Sequence, residues 1–311
     1  MSEREIVCAD LASAIDGLKR DGFRLDLIYP ADEPHGAVLS KDGDRVRLTS
    51  RAGAPRPSDA LPPFAPEFVL TRAGASPGEG RAGMLYRDLI PSRLGSRYIA
   101  SHIAIPDGGP VADWVHFHRI AMQTIFVRRG WVRVVYEDQG DPFVMHEGDL
   151  VLQPPGIRHR VLESSPGLEV IEISAPALHA TFADHELRLP NGTRPGRVFG
   201  GQEFLHHKAS GTPWTPFGGG EAQETRVSGA TSGLAEVRVV RPGEDGSLDV
   251  PVHDGELAFG FVLDGSAVLE FGGSHELTGA DAFVIPPGEP WRLGNASPDL
   301  RLLHVTTAKL D

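Results

Sequence analysis

HFHRIAMQTIFVRRGWVRVVYE, residues 116–137, and GDLVLQPPGIRH, residues 148–159, decide how this chain is to be read. Successive side chains of an extended strand point to opposite faces, so His116 and His118 lie on the same side. Gln123 comes opposite them when a hairpin brings its strand alongside. The second stretch reads as a turn, a strand and a turn, opened by Gly148 and closed by Pro154 and Gly156. His159 follows at the place where a third imidazole can reach the same interior point. His116, His118, His159 and Gln123 are therefore the candidate metal ligands, a donor set suited to a first-row transition cation. A His-x-His pair alone is common on exposed strands; it is the fit of two separated stretches that points to a metal.

Working outward, residues 84–176 alternate short apolar strands with turn residues: 98–105, 124–128, 131–136, 150–153, 159–162 and 168–173. Regular short strands without intervening helices imply a sandwich or barrel. A loop-rich stretch follows, and strands resume at 235–241, 258–263, 267–271, 282–285 and 300–306. The two blocks align on each other, FVRRGWVRVVYE with FVLDGSAVLEFG and GDLVLQPPGIRH with ADAFVIPPGEPW, so the chain carries an internal repeat. In the second copy the ligand positions read Pro251, His253, Ala258 and Trp291, and a single imidazole does not make a tight site. A residual small-molecule pocket there would involve His253, Phe259 and Trp291.

Before the repeats, apolar residues at helical spacing predict a helix over 10–19, followed by strands near 23–29, 37–39 and 45–48. Residues 51–83, with GAPRPSDALPPFAPE, read as an irregular connection. The expected domains are a small α+β appendage over 1–70, a metal-binding barrel over 84–180 and a degenerate barrel over 195–311. His206 and His207 read as a surface loop, His179 and His185 as cover for the barrel mouth, and Arg119, Arg158 and Arg160 as exterior residues.

In a chain of 311 residues, a net charge of -12 and a pI near 5.5 argue against general attraction to phosphate backbones, since nucleic-acid binders usually carry a clustered basic face. Gly 37 and Pro 26 favour many tight turns. One cysteine, Cys8, rules out an intrachain disulfide. A start without a basic, then apolar, leader and the lack of long apolar runs make a cytoplasmic location, with no membrane partner, the expectation.

The two stretches around His116 and His159 resemble the paired motifs of the cupin superfamily, and through the degenerate repeat the likeness extends over most of residues 84–311. The resemblance implies an all-β fold of two double-stranded β-helix (jelly-roll) barrels, the first binding a divalent metal through three histidines and usually a glutamate. Gln123 occupies the glutamate position, and Pro110 after Gly108-Gly109 places the opening glycine one residue early. GFRLDLIYPADEPHGAVLS, near the N-terminus, resembles one half-module of the vicinal-oxygen-chelate superfamily over about 45 residues, without a second half-module or a ligand set.

An amide in place of a carboxylate leaves a bound divalent ion its full charge, which favours an anionic or enolisable substrate. Gln123 either ligates directly or hydrogen-bonds substrate or a ligand water. The cofactor expected is one divalent transition metal, iron first, with zinc, manganese and nickel as alternatives. Similarity to quercetin- and gentisate-type cupins makes a dioxygenase acting on a small oxygenated or aromatic metabolite the leading expectation. A non-redox isomerase, cyclase or lyase is the second, similar to polyketide cyclases that hold zinc with three histidines and a glutamine. A binding cupin that releases its small-molecule ligand unchanged is the third. The resemblance also implies a homo-oligomer.

Overall fold

The computed structural model describes residues 3–58, 60–80 and 83–310. Strands dominate, as the alternating patterns require, and they form two β-barrels of the jelly-roll kind. The first is built from two facing sheets. One has the order Leu205–His207, Leu150–Leu152, Met122–Arg129, Leu168–Ala175, Ile99–Ile105, Leu85–Asp88 and Gly78–Glu79. The other contains His116–His118, His159–Ser164, Trp131–Tyr136 and Phe143–His146. The second barrel repeats this with a seven-stranded sheet centred on Arg301–Thr307 and a four-stranded sheet containing Ser266–Glu270.

Side-chain alternation makes each central strand serve two cores. On Met122–Arg129, Ile125 and Val127 enter the first barrel while Met122 and Phe126 face the second. On Ala258–Asp264, Ala258 and Val262 enter the second barrel while Phe259 and Phe261 face the first. The barrels therefore share one apolar layer, in which Leu150, Ile171 and Ile173 meet Val237, Phe259 and Val305. Phe259, expected in a pocket of the second barrel, belongs to this shared layer instead. A buried ion pair crosses the same seam. Arg97 donates to Glu256 with Nε–Oε2 at 2.8 Å and Nη2–Oε1 at 2.7 Å, and Tyr98 Oη donates to the same carboxylate at 3.0 Å.

The interiors differ at one station. Ile125 lies beside Glu172 and Val151 in the first barrel; Gly260 lies beside His304 and Phe283 in the second. A Cβ on Gly260 would come within 2.3 Å of the Phe283 ring. The missing side chain lets Phe283, completely buried, fill space that Val151 leaves open.

The helix Leu11–Arg20 is capped by Asp10, whose carboxylate accepts from Ser13 N at 3.0 Å, and it buries Leu11 and Ile15. It packs on Arg24–Tyr29, Gly36–Lys41 and Asp44–Thr49, which form one sheet with Glu3–Val7. These continue the first barrel's sheet, because Arg24–Tyr29 pairs with Thr181–Ala183, which pairs with His116–His118. The described residues among 51–83 are largely irregular, as their composition implies, but Val69–Thr71 adds a strand to the second barrel by pairing with Ala282–Val284. Leu205–His207 likewise pairs with Leu150–Leu152. His206 and His207 are thus strand residues, not a surface loop. His207 is buried and His206 stacks on Phe143 with ring centroids 4.4 Å apart.

Candidate metal centre

His116 and His118 share a face of a three-residue strand, and His159 opens the adjacent one, with His116 and His159 directly paired. Their ring centroids lie 4.1 to 5.4 Å apart, and one nitrogen from each ring falls within 4.8 Å of the others. All three side chains are buried. A single cation can therefore be shared by the rings, as the spacing of the two stretches predicts.

The backbone sets the tautomer of each ring. His116 Nδ1 lies 2.7 Å from Trp114 O, His118 Nδ1 3.3 Å from Ala180 O and His159 Nδ1 3.1 Å from Ile157 O. A carbonyl only accepts, so Nδ1 carries the proton and Nε2 is the lone-pair nitrogen in all three. Such outer hydrogen bonds orient a metal-ligating imidazole and raise its basicity. Asp113 reinforces the first ring, its Oδ1 3.5 Å from His116 Nδ1 while its Oδ2 accepts from Val161 N at 2.9 Å. The donor set fits a transition metal of imidazole preference.

Gln123, 1% exposed, lines the same cavity. Its Oε1 faces Gln153 Nε2 at 3.4 Å, and that same nitrogen lies 2.9 Å from His159 Nε2. Tyr136 Oη completes the chain by donating to Gln153 Oε1 at 3.1 Å, and burial holds its phenol far above the ordinary range. Sequence reading missed Gln153 and Tyr136. The signal was present: Gln153 is two residues beyond Val151, just past the end of the strand Leu150–Leu152.

A cavity of about 80 Å³ adjoins these groups. Its walls are mainly apolar, including Ile103, Ile125, Val134 and Met145, and Glu172 is the one acidic residue among its described lining residues. Glu172 faces inward for the reason that Val170 does, by alternation along Leu168–Ala175. His179 is buried beside His118, with ring centroids 5.2 Å apart and its Nδ1 on Pro176 O. Arg119 and Arg158 lie on the other face, over Phe182 and Phe117, and Arg158 also pairs with Asp184 at 3.0 Å. Arg119 is exposed, as expected of an exterior residue, whereas Arg158 is packed and paired.

The second barrel has no such centre among its described residues. His253 Nε2 donates to Ile285 O at 3.3 Å, and Trp291 takes the place of His159. A second imidazole does enter, His304, from the station equivalent to Glu172. It is buried with neither ring nitrogen hydrogen-bonded, and burial, then the charge of Arg238, pushes its pKa down to about 3.

Residues 237–306 match the family described as Cupin domain. No curated protein matches the chain in sequence. In structure the chain is similar to protein Ylba from E. coli, at a TM-score of 0.59 and 12% identity over 80% of this chain and 93% of that one. A variant of oxalate decarboxylase OxdC from Bacillus subtilis gives 0.55 and 13%, over 81% and 80%. A variant of salicylate 1,2-dioxygenase from Pseudoaminobacter salicylatoxidans gives 0.51 and 20%, over 68% and 70%. No helix among the described residues is long and apolar enough to cross a membrane.

Proposed function

We propose that this chain, whose fold is the cupin fold in two copies, is a metal-dependent dioxygenase acting on a small oxygenated metabolite in its first barrel. The observation that carries the reading is the convergence of His116, His118 and His159, each with Nδ1 anchored to a carbonyl, beside an apolar cavity. These three residues, with Gln123 as the fourth donor, would hold one divalent ion. Bound there, the ion would supply Lewis acidity and open coordination positions for substrate oxygen and, if it is iron, for dioxygen.

The chain's own residues do the rest. Ile103, Ile125, Val134 and Met145 exclude water and pack against the hydrocarbon part of the substrate. The cavity holds about half the roughly 150 Å³ that accommodates a benzene ring, which limits the enclosed part to a few heavy atoms. Glu172, the one carboxylate among the cavity's described lining residues, would accept a proton from a substrate hydroxyl brought within hydrogen-bond reach. The salicylate dioxygenase shares the fold, and its name supports oxidative chemistry on an oxygenated substrate.

The same carboxylate favours a second reading, non-redox proton transfer at a polarised carbonyl, to which the likeness to oxalate decarboxylase lends support. Metal analysis of protein purified without chelators, followed by oxygen-electrode assays against small hydroxy- and oxo-acids, separates the two. One iron per chain with oxygen uptake is the expected outcome. Zinc, with substrate turnover and no oxygen uptake, would transfer the proposal to the second reading. A homo-oligomer in the cytoplasm belongs to the same proposal, and sedimentation of the purified chain tests the assembly.

A further inference from the structure

Gln153 stands where a metal must act. Its amide nitrogen lies 2.9 Å from His159 Nε2, on the lone pair that an ion shared by the three rings has to take. The same nitrogen reaches Gln123 Oε1 at 3.4 Å, so both fourth-donor candidates belong to one hydrogen-bonded chain. An N–H donor pointed at a cation is repelled, whereas the carboxamide oxygen on the other side of the same group is a good hard ligand. The chain's outer end permits the exchange: Tyr136 Oη now donates to Gln153 Oε1 at 3.1 Å, and a hydroxyl accepts as readily as it donates. Gln153 is buried, 1% exposed, so bulk solvent does not compete for its amide.

We propose that Gln153 is a metal-responsive ligand, whose carboxamide donates to His159 and Gln123 before the ion enters and turns over to give the ion its oxygen afterwards. Turning over places Nε2 against Tyr136 Oη and withdraws the donor from Gln123 Oε1, which becomes available to the same ion. The centre then holds three imidazoles and two neutral oxygens, and Tyr136 is the positioning residue that accepts from the turned amide. This inference rests on the metal-binding reading above and extends it to a residue outside the motif positions.

The test is titration of the full-length, metal-stripped protein with Co(II), read by competition with a chromophoric chelator and by the visible absorption of the bound ion. Gln153→Leu is expected to lower Co(II) affinity by about 10- to 100-fold and to shift the absorption bands. Unchanged or higher affinity would show that the amide is only a competitor for the His159 lone pair, and a weaker site with unshifted bands would show an outer role; either overturns the inference. Gln153→Glu cannot donate but can ligate, so it should bind Co(II) more tightly than wild type, and weaker binding counts against ligation even if the leucine variant fails to fold. If the wild-type chain binds no Co(II), or His118→Ala binds as well as wild type, the histidine centre itself is wrong; wild-type binding with an indifferent Gln153→Leu removes only the role of Gln153.

Discussion

His159 illustrates how much a single side chain here depends on its immediate surroundings. Its Nδ1 is held by Ile157 O, and its Nε2 faces Gln153. His118 is held in the same manner by Ala180 O, and His118→Ala should remove most bound metal while leaving unfolding of the second barrel unchanged. Elemental analysis beside a thermal melt checks both halves; normal metal content would show that the ring is not a ligand. Gly260 makes the opposite kind of demand, for absence. Gly260→Ala forces a methyl into the Phe283 ring and should cost about 1–3 kcal/mol, measured by urea unfolding. If Phe283→Val in the same background restores most of that loss, the clash is its cause. The histidines and Gln123 were legible from spacing, because alternation on a strand depends only on parity. Gln153, Tyr136 and Glu172 obey the same parity, but nothing local says which strands will face one another across the interior.

At the level of elements, the seam between the barrels combines an apolar layer with the buried Arg97–Glu256 pair. Both side chains are less than a tenth exposed, so removing one partner strands the other in a low-dielectric setting. Glu256→Leu is expected to destabilise the chain by about 3–5 kcal/mol, and the double variant Arg97→Met with Glu256→Leu to recover most of that. Chemical denaturation of the three proteins tests this; a single variant as stable as wild type would mean that water reaches the pair. Each strand expected from the sequence pattern lies within a residue or two of an observed one. Many other strands were not expected, among them Glu3–Val7, Leu85–Asp88, Phe143–His146 and Ser274–Thr278, and also Val69–Thr71, Thr181–Ala183 and Leu205–His207, three-residue strands defined by their partners rather than by their own periodicity. Thr181–Ala183 also joins the N-terminal strands to the metal-side sheet, a link that no local pattern signals.

For the whole molecule, stability should fall as the pH drops below neutrality, because buried histidines resist protonation. His304 has a folded pKa near 3 against an unfolded value near 6.5, so the unfolded chain binds the extra proton between those values. The stability this ring contributes is complete above pH 6.5 and is lost as pH falls toward 3, amounting to about 2 kcal/mol by pH 5. His179, His206, His207 and His253, all lowered by burial, act in the same direction. Glu169 adds a later loss, because the hydrogen bond from His102 and then the Arg128 guanidinium hold it at about 2, so its contribution disappears as pH falls from 4.5. His304→Leu should flatten the difference in urea stability between pH 7 and pH 5 by about 2 kcal/mol. A variant with the wild-type slope would show that the ring is hydrated or protonated in the fold.

By itself the sequence determined that the chain is built from short strands, that it repeats, and that one copy keeps three histidines on compatible faces while the other does not. Those properties follow from period, spacing and residue type, which are local. Only the tertiary structure decided that Gln153 and Glu172 join the histidines, that Phe259 leaves the second barrel for the shared layer, and that Phe283 fills the interior over Gly260. Each is a meeting of strands far apart in the chain, and register between such strands is set by how both barrels close and pack together.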